Sequence, residues 1–151
     1  MKKTFECEAT IENLEKVMGF VEEALESQQC DMARLMQITL AVEEIYVNIV
    51  HYAYGKLDEG GRPIPDTGTG PMELDLEADK GQVYLTFKDK GFPYNPLEKE
   101  DPDTTLSAEE REIGGLGIFM VKKSMDEISY DYKDGKNILT MMKHIKKGRR
   151  G

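Results

Sequence analysis

The chain has 151 residues and a formal net charge of −9, from 20 Lys and Arg against 29 Asp and Glu. With 39% hydrophobic and 32% charged residues it suits a single water-facing globular domain spanning residues 1–151. Its acidity disfavours direct contact with a nucleic-acid backbone. No apolar run approaches the roughly 20 residues of a membrane-spanning helix. The start MKKTFECE turns acidic where a secretory leader would turn apolar, so a cytoplasmic location is expected. Cys7 and Cys30 could form one disulfide, but nothing around them suggests a framework of spaced pairs; two buried thiols in a reducing compartment is the plainer reading.

In chain order, Phe5, Cys7 and Ala9 alternate and predict a short strand within residues 1–10. Over residues 11–27, Leu14, Val17, Met18, Val21, Ala24 and Leu25 recur at helical steps, an amphipathic pattern. Asp31 is placed to cap a second helix running to about Ala53. Its apolar positions, Leu35, Met36, Ile38, Val42, Ile45, Ile49 and Val50, cover much of its circumference and predict a central core helix. Residues 55–71 hold five of the 14 glycines and three of the six prolines and read as a flexible connector.

Residues 72–78 and 83–87 alternate around Asp79-Lys80-Gly81, a hairpin signature. A polar loop fills residues 91–115, a helix is expected over 116–125, and a second hairpin turns at Asp134-Gly135. Lys143, Lys146, Lys147, Arg149 and Arg150 form a terminal basic cluster that reads as a solvated tail over 144–151. Strands grouped in hairpins predict an α+β fold. It is a two-layer α/β sandwich, with a mostly antiparallel mixed sheet and helices on one face.

Three segments carry chemistry. Glu44 and Asn48 lie one helical turn apart, beside Ile45 and Ile49. A carboxylate on such a face wants a partner, and a magnesium ion is one candidate, with the Asn48 amide oxygen as a neutral ligand and Glu44 free to accept a proton. Glu43 is the competing carboxylate, about 100° round the helix. Taken alone, the pair also reads as a wet helix face.

Asp89-Lys90-Gly91 follows a strand directly; an ionised Asp accepts but cannot donate, which suits an exocyclic amine, and Gly91 would let a flat ring approach. The same residues also make an ordinary turn. Gly114, Gly115, Leu116 and Gly117 open a helix, where converging amides and the helix dipole attract phosphates. No Walker lysine follows them, and no strand directly precedes them, so the P-loop and dinucleotide fingerprints both fail.

The order of these segments resembles the ATP-site boxes of the GHKL (Bergerat-fold) superfamily, and most closely its anti-sigma serine/threonine-protein kinases. AVEEIYVNIVHYAY, DKGFPYNP and GGLGIFMVKKSMDEISYDYKDGKNILTMMK are similar to the first, second and third boxes with the closing hairpin. The resemblance implies that Asn48 coordinates Mg2+, Glu44 is the general base, and Asp89 binds the adenine amine of ATP with Gly91 beside the ring. It implies that Gly114, Gly115, Leu116 and Gly117 wrap the phosphates, and that residues 97–113 form a lid from which Arg111 reaches the γ-phosphate.

The implied reaction transfers phosphate from ATP to a seryl or threonyl hydroxyl of an anti-anti-sigma antagonist, in a protein that also sequesters a sigma factor and forms a homodimer. A nucleotide-gated binding switch and a simple ATPase are the alternatives. Relatives often carry His four residues after the Asn, where this chain has Tyr52 and places His51 one step earlier, which points to a structural role for His51. The connector is also longer than the family's usual link.

Overall fold

The computed structural model describes residues 1–98 and 115–145. Five strands pair into one sheet in the order β1 (Lys2–Glu8), β2 (Pro71–Asp79), β3 (Gln82–Asp89), β5 (Lys136–His144), β4 (Glu127–Lys133). Every pairing is antiparallel, so the expected mixed character is not seen among the described residues. Both hairpins close on two consecutive residues in the left-handed region, Lys80-Gly81 and Asp134-Gly135. Such turns match the right-handed twist of the strands they join.

The register aligns inward side chains into rows. Leu74, Phe87 and Leu139 face one another across three strands, as do Leu76, Leu85 and Met141, all buried. The next row along the same face is Met72, Asp89 and Asn137, so the apolar rows give way to a polar one at the sheet's end. The helices α1 (Leu14–Ser27), α2 (Met32–Asn48) and α3 (Gly115–Ser124) supply the facing apolar layer. Asp31 caps α2, accepting the Arg34 N–H on Oδ1 at 2.9 Å. The α-helix ends at Asn48 and continues for one wider π-helical turn, Ile49–Ala53. No helix among the described residues is long and apolar enough to cross a membrane.

Three expectations need correction. The apolar arc of the second helix is not all core: Ile38, Val42 and Ile45 are buried, but Met36 is 57% exposed, and Met32 and Leu40 flank it at four-residue steps on the outer side. Apolar residues there extend the stripe beyond the arc that the sheet, α1 and α3 can cover. Lys143 does not belong to a solvated tail. It is buried in β5, and its Nζ donates to the Ser124 carbonyl at the end of α3, where unpaired carbonyls attract a cation. Cys7 and Cys30 are free and only half-buried, and partial burial raises both thiol pKa values.

Tyr46 is the largest fully buried side chain and ties β1 to α2, its hydroxyl donating to the Thr10 carbonyl at 2.6 Å. Burial pushes its phenol well above the usual range. Tyr46→Phe keeps the ring but removes that hydrogen bond, leaving the carbonyl the Asn13 N–H at 3.2 Å, at a cost of about 1 kcal/mol. In a chain of this size a thermal melt should then fall by roughly 2–8 °C, and an unchanged midpoint would show that the hydroxyl contributes nothing.

Candidate nucleotide site

At the polar end of the sheet lies a cleft of about 450 Å³, counting space that opens to solvent. Ile45, Asn48 and Ile49 form its α2 wall, Phe87, Asp89 and Leu139 its floor, and Tyr52, Phe92, Tyr94 and Tyr130 its aromatic rim. Its lining is mostly apolar with few polar groups, as small-molecule sites usually are.

Asp89 is 6% exposed and lines this cleft at the end of β3. Its Oδ1 accepts the Gly91 N–H at 2.9 Å and the Asn137 amide Nδ2 at 2.9 Å. Burial raises the Asp89 pKa above the ordinary carboxylate value, and the bonds from Asn137 and Gly91 pull it partly back. Gly91 has a packing task as well. A Cβ there would sit 2.1 Å from the Ala53 carbonyl oxygen, so the missing side chain lets the turn after β3 press against the π-helical turn. Phe92 N–H then donates to the same carbonyl. Gly91 does not line the cleft.

Glu44 and Asn48 meet as their spacing predicts. Asn48 Nδ2 donates to the Glu44 carbonyl at 2.8 Å and to Glu44 Oε1 at 3.1 Å. Both bonds use the amide nitrogen, and the amide oxygen has no protein partner among the described residues. That leaves a neutral oxygen at the cleft wall, a donor type that suits magnesium. No group of three or more His, Cys, Asp or Glu that could hold a metal occurs among the described residues. A magnesium ion here would depend on Asn48 plus water and ligand oxygens, which is its usual habit beside phosphates.

Glu43 is exposed and Glu44 is half-buried. The Glu44 carboxylate lies against Gly117 in the first turn of α3, and a Cβ on Gly117 would fall 2.1 Å from Glu44 Cδ. Asn48 thus joins two halves, a cleft floored by Asp89 and a carboxylate seated at a helix start. The α3 helix begins at Gly115; Arg111, Gly114 and the expected lid beyond Glu98 lie outside the described residues.

Sequence reasoning missed Asn137, Tyr130 and the aromatic rim. Asn137 could have been found, because it breaks the apolar alternation of Leu139 and Met141 on the inward face of β5. His51 lies outside the cleft lining and pairs through Nδ1 with Asp66 of the connector, a structural position.

Because Asp89 titrates higher in the folded chain than in the unfolded one, the folded state holds more protons between those two pKa values. Stability therefore falls as pH rises through that window and levels off above it. Asp89→Asn keeps an acceptor for Gly91 and Asn137 but removes the buried charge. It should melt higher than the parent at neutral pH, the gap closing as pH falls through the raised pKa; a gap that persists in acid would contradict this account.

Comparison with known proteins agrees with the geometry. Residues 7–143 match the family model described as the histidine kinase-like ATPase domain. The chain is 29% identical over 107 residues to serine/threonine-protein kinase BtrW of Bordetella bronchiseptica, covering 71% of this chain and 68% of that protein. It is 29% identical over 115 residues to serine-protein kinase RsbW of Staphylococcus aureus, covering 72% of this chain and 64% of that protein. The crystal structure of the RsbU and RsbW domains of Rv1364c from Mycobacterium tuberculosis superposes with a TM-score of 0.65 at 15% identity, over 99% of this chain and 34% of that one. That likeness speaks to fold. The chain belongs to the histidine kinase-like ATPase domain family, the GHKL type that its three boxes resemble.

Proposed function

We propose that this chain is an ATP-dependent protein serine/threonine kinase of the anti-sigma type, acting in the cytoplasm. It phosphorylates an anti-anti-sigma antagonist and sequesters a sigma factor, as a homodimer. The observation that carries the reading is the shared position of Asn48, which lines the cleft over Asp89 while holding the Glu44 carboxylate beside the start of α3. Adenine, phosphates and a base would need that connection. The kinase names of the relatives support the choice of phosphoryl acceptor.

In this reading Asp89 accepts from the adenine amine while the aromatic rim encloses the ring. The amides at the start of α3, including those of Gly115, Leu116 and Gly117, draw the phosphates toward the helix's positive end. Gly114 and Arg111 complete the phosphate grip under a lid over residues 97–113. Asn48 Oδ1 would hold Mg2+, which when bound neutralises charge on the phosphates. The bond between the γ-phosphorus and its bridging oxygen breaks as the hydroxyl oxygen bonds to that phosphorus. Glu44 takes the hydroxyl proton, and ADP leaves. Such catalysis rests on positioning and electrostatics more than on covalent steps.

Glu44→Gln keeps the shape but cannot take a proton. It should bind ATP as the parent does while phosphate incorporation into the antagonist falls by about 10²–10⁴. Phosphoserine or phosphothreonine formation, followed by mass spectrometry, is the measurement. Transfer at the parent rate would remove Glu44 from the base role, and phosphate release to water alone would point to an ATPase.

Gly117→Ala tests the seat of that carboxylate. The added methyl meets the mobile end of Glu44 rather than rigid backbone, so the fold should hold, with a melting midpoint within a few degrees of the parent. Transfer should drop sharply. An active Gly117→Ala protein would mean that Glu44 works from another position.

A further inference from the structure

Asn137 is 7% exposed on the inward face of β5, directly across the ladder from Asp89. Its Nδ2 donates to Asp89 Oδ1 at 2.9 Å and to the Phe92 carbonyl at 2.9 Å, with the Gly91 carbonyl at 3.5 Å. Its Oδ1 accepts the Tyr94 N–H at 3.1 Å and the Tyr130 hydroxyl. The network decides the orientation of the amide. A backbone N–H can only donate and a backbone carbonyl can only accept, so reversing the amide would break the bonds to both Tyr94 and Phe92.

One side chain therefore joins the cleft floor (Asp89), the turn after β3 (residues 91–94) and the rim (Tyr130). Both hydrogen bonds that Asp89 makes among the described residues fall on Oδ1, from Asn137 and Gly91. Oδ2 has no partner among the described residues. A carboxylate free to rotate could present either oxygen at many angles; one whose first oxygen is held by two donors presents its second in one direction.

We infer that Asn137 is the positioning residue for base selection: by holding Asp89 Oδ1 it fixes Oδ2 as a single aimed acceptor, which takes a purine bearing a 6-amino donor and repels one bearing a 6-oxo acceptor. This rests on the proposed base pocket over Asp89. Asn137 itself need not touch the base. Its effect is on discrimination, because a misaimed acceptor loses the amine contact and relaxes the repulsion of a carbonyl together.

The test is calorimetry of the full-length protein with ATP and with inosine triphosphate, which replaces the 6-amino group by 6-oxo. Parent, N137D, N137A and D89N proteins are compared, each checked for folding by a thermal melt. The parent should prefer ATP. N137D places an acceptor against Asp89 Oδ1 and the Phe92 carbonyl; it should lose ATP affinity about tenfold or more, the scale of a hydrogen bond to a charged group. Its ATP-to-inosine-triphosphate ratio should move toward unity. N137A removes the donor without adding a charge and carries the same comparison if N137D does not fold.

A general loosening of the pocket would lower both affinities together and leave the ratio unchanged, and that result overturns the inference. So does a parent-like ratio in N137A. Failure of the underlying reading looks different: D89N would then bind ATP as tightly as the parent. If D89N loses ATP while the Asn137 variants keep the parent ratio, the base pocket stands and the positioning role falls.

Discussion

Burying a carboxylate beneath a mostly apolar cleft is costly, and the architecture at this end of the molecule is arranged around meeting that cost. Asp89 continues the register of Phe87 and Leu85 along β3, on the inward face. It stays there because a backbone amide and a side-chain amide both donate to it. Each donor is itself held in place. Gly91 is pressed against Ala53 at the end of the π-helical turn, and Asn137 is braced by Tyr94, Tyr130 and Phe92. The last turn after α2, the turn after β3 and the start of β5 therefore share one polar cluster, and none could shift alone without leaving a buried polar atom unpaired.

The α2 helix divides its circumference by task. Ile38, Val42 and Ile45 anchor it to the sheet, while Glu44 and Asn48 project toward α3 and the cleft. Rigid packing on one side is what gives the polar pair a defined place on the other. The Asn48 amide spends both donor contacts on Glu44, which orients the carboxylate and leaves the amide oxygen for a ligand. Gly117 completes the arrangement by contributing no side chain where the carboxylate rests.

Much of this was legible in the residues. Alternation located both hairpins, since a half-buried strand must repeat every second residue. Their Lys-Gly and Asp-Gly turns marked the reversals, because two left-handed residues suit that geometry. Helical periodicity located α1 and α2, and Asp31 marked where α2 begins. The Glu44–Asn48 contact followed from spacing alone.

What stayed hidden depends on long-range register. Nothing near Asn137 in sequence reveals that it will face Asp89, 48 positions away. The packing of Gly91 was hidden too, since only the tertiary fold brings the Ala53 carbonyl against it. Met36 looked like core because periodicity reports the width of an apolar stripe, not how much of it neighbours can cover. Lys143 looked like the start of a basic tail because charge alone does not show where a long side chain ends.

Tyr54 sits between the connector and the cleft. Its hydroxyl receives the Lys90 N–H and donates to the Pro71 carbonyl, and Gly68 and Gly70 close against it. Beyond it, residues 56–67 fold mostly on themselves, through the Leu57–Pro63 bridge and the Lys56–Thr67 hydrogen bond. Tyr54 thus works as a bulkhead. A second anchor lies at Asp66, bonded to His51 of the π-helical turn, and between the two residues 57–63 close on their own bridge, so a change in the length of that tip would be taken up outside the floor of the cleft.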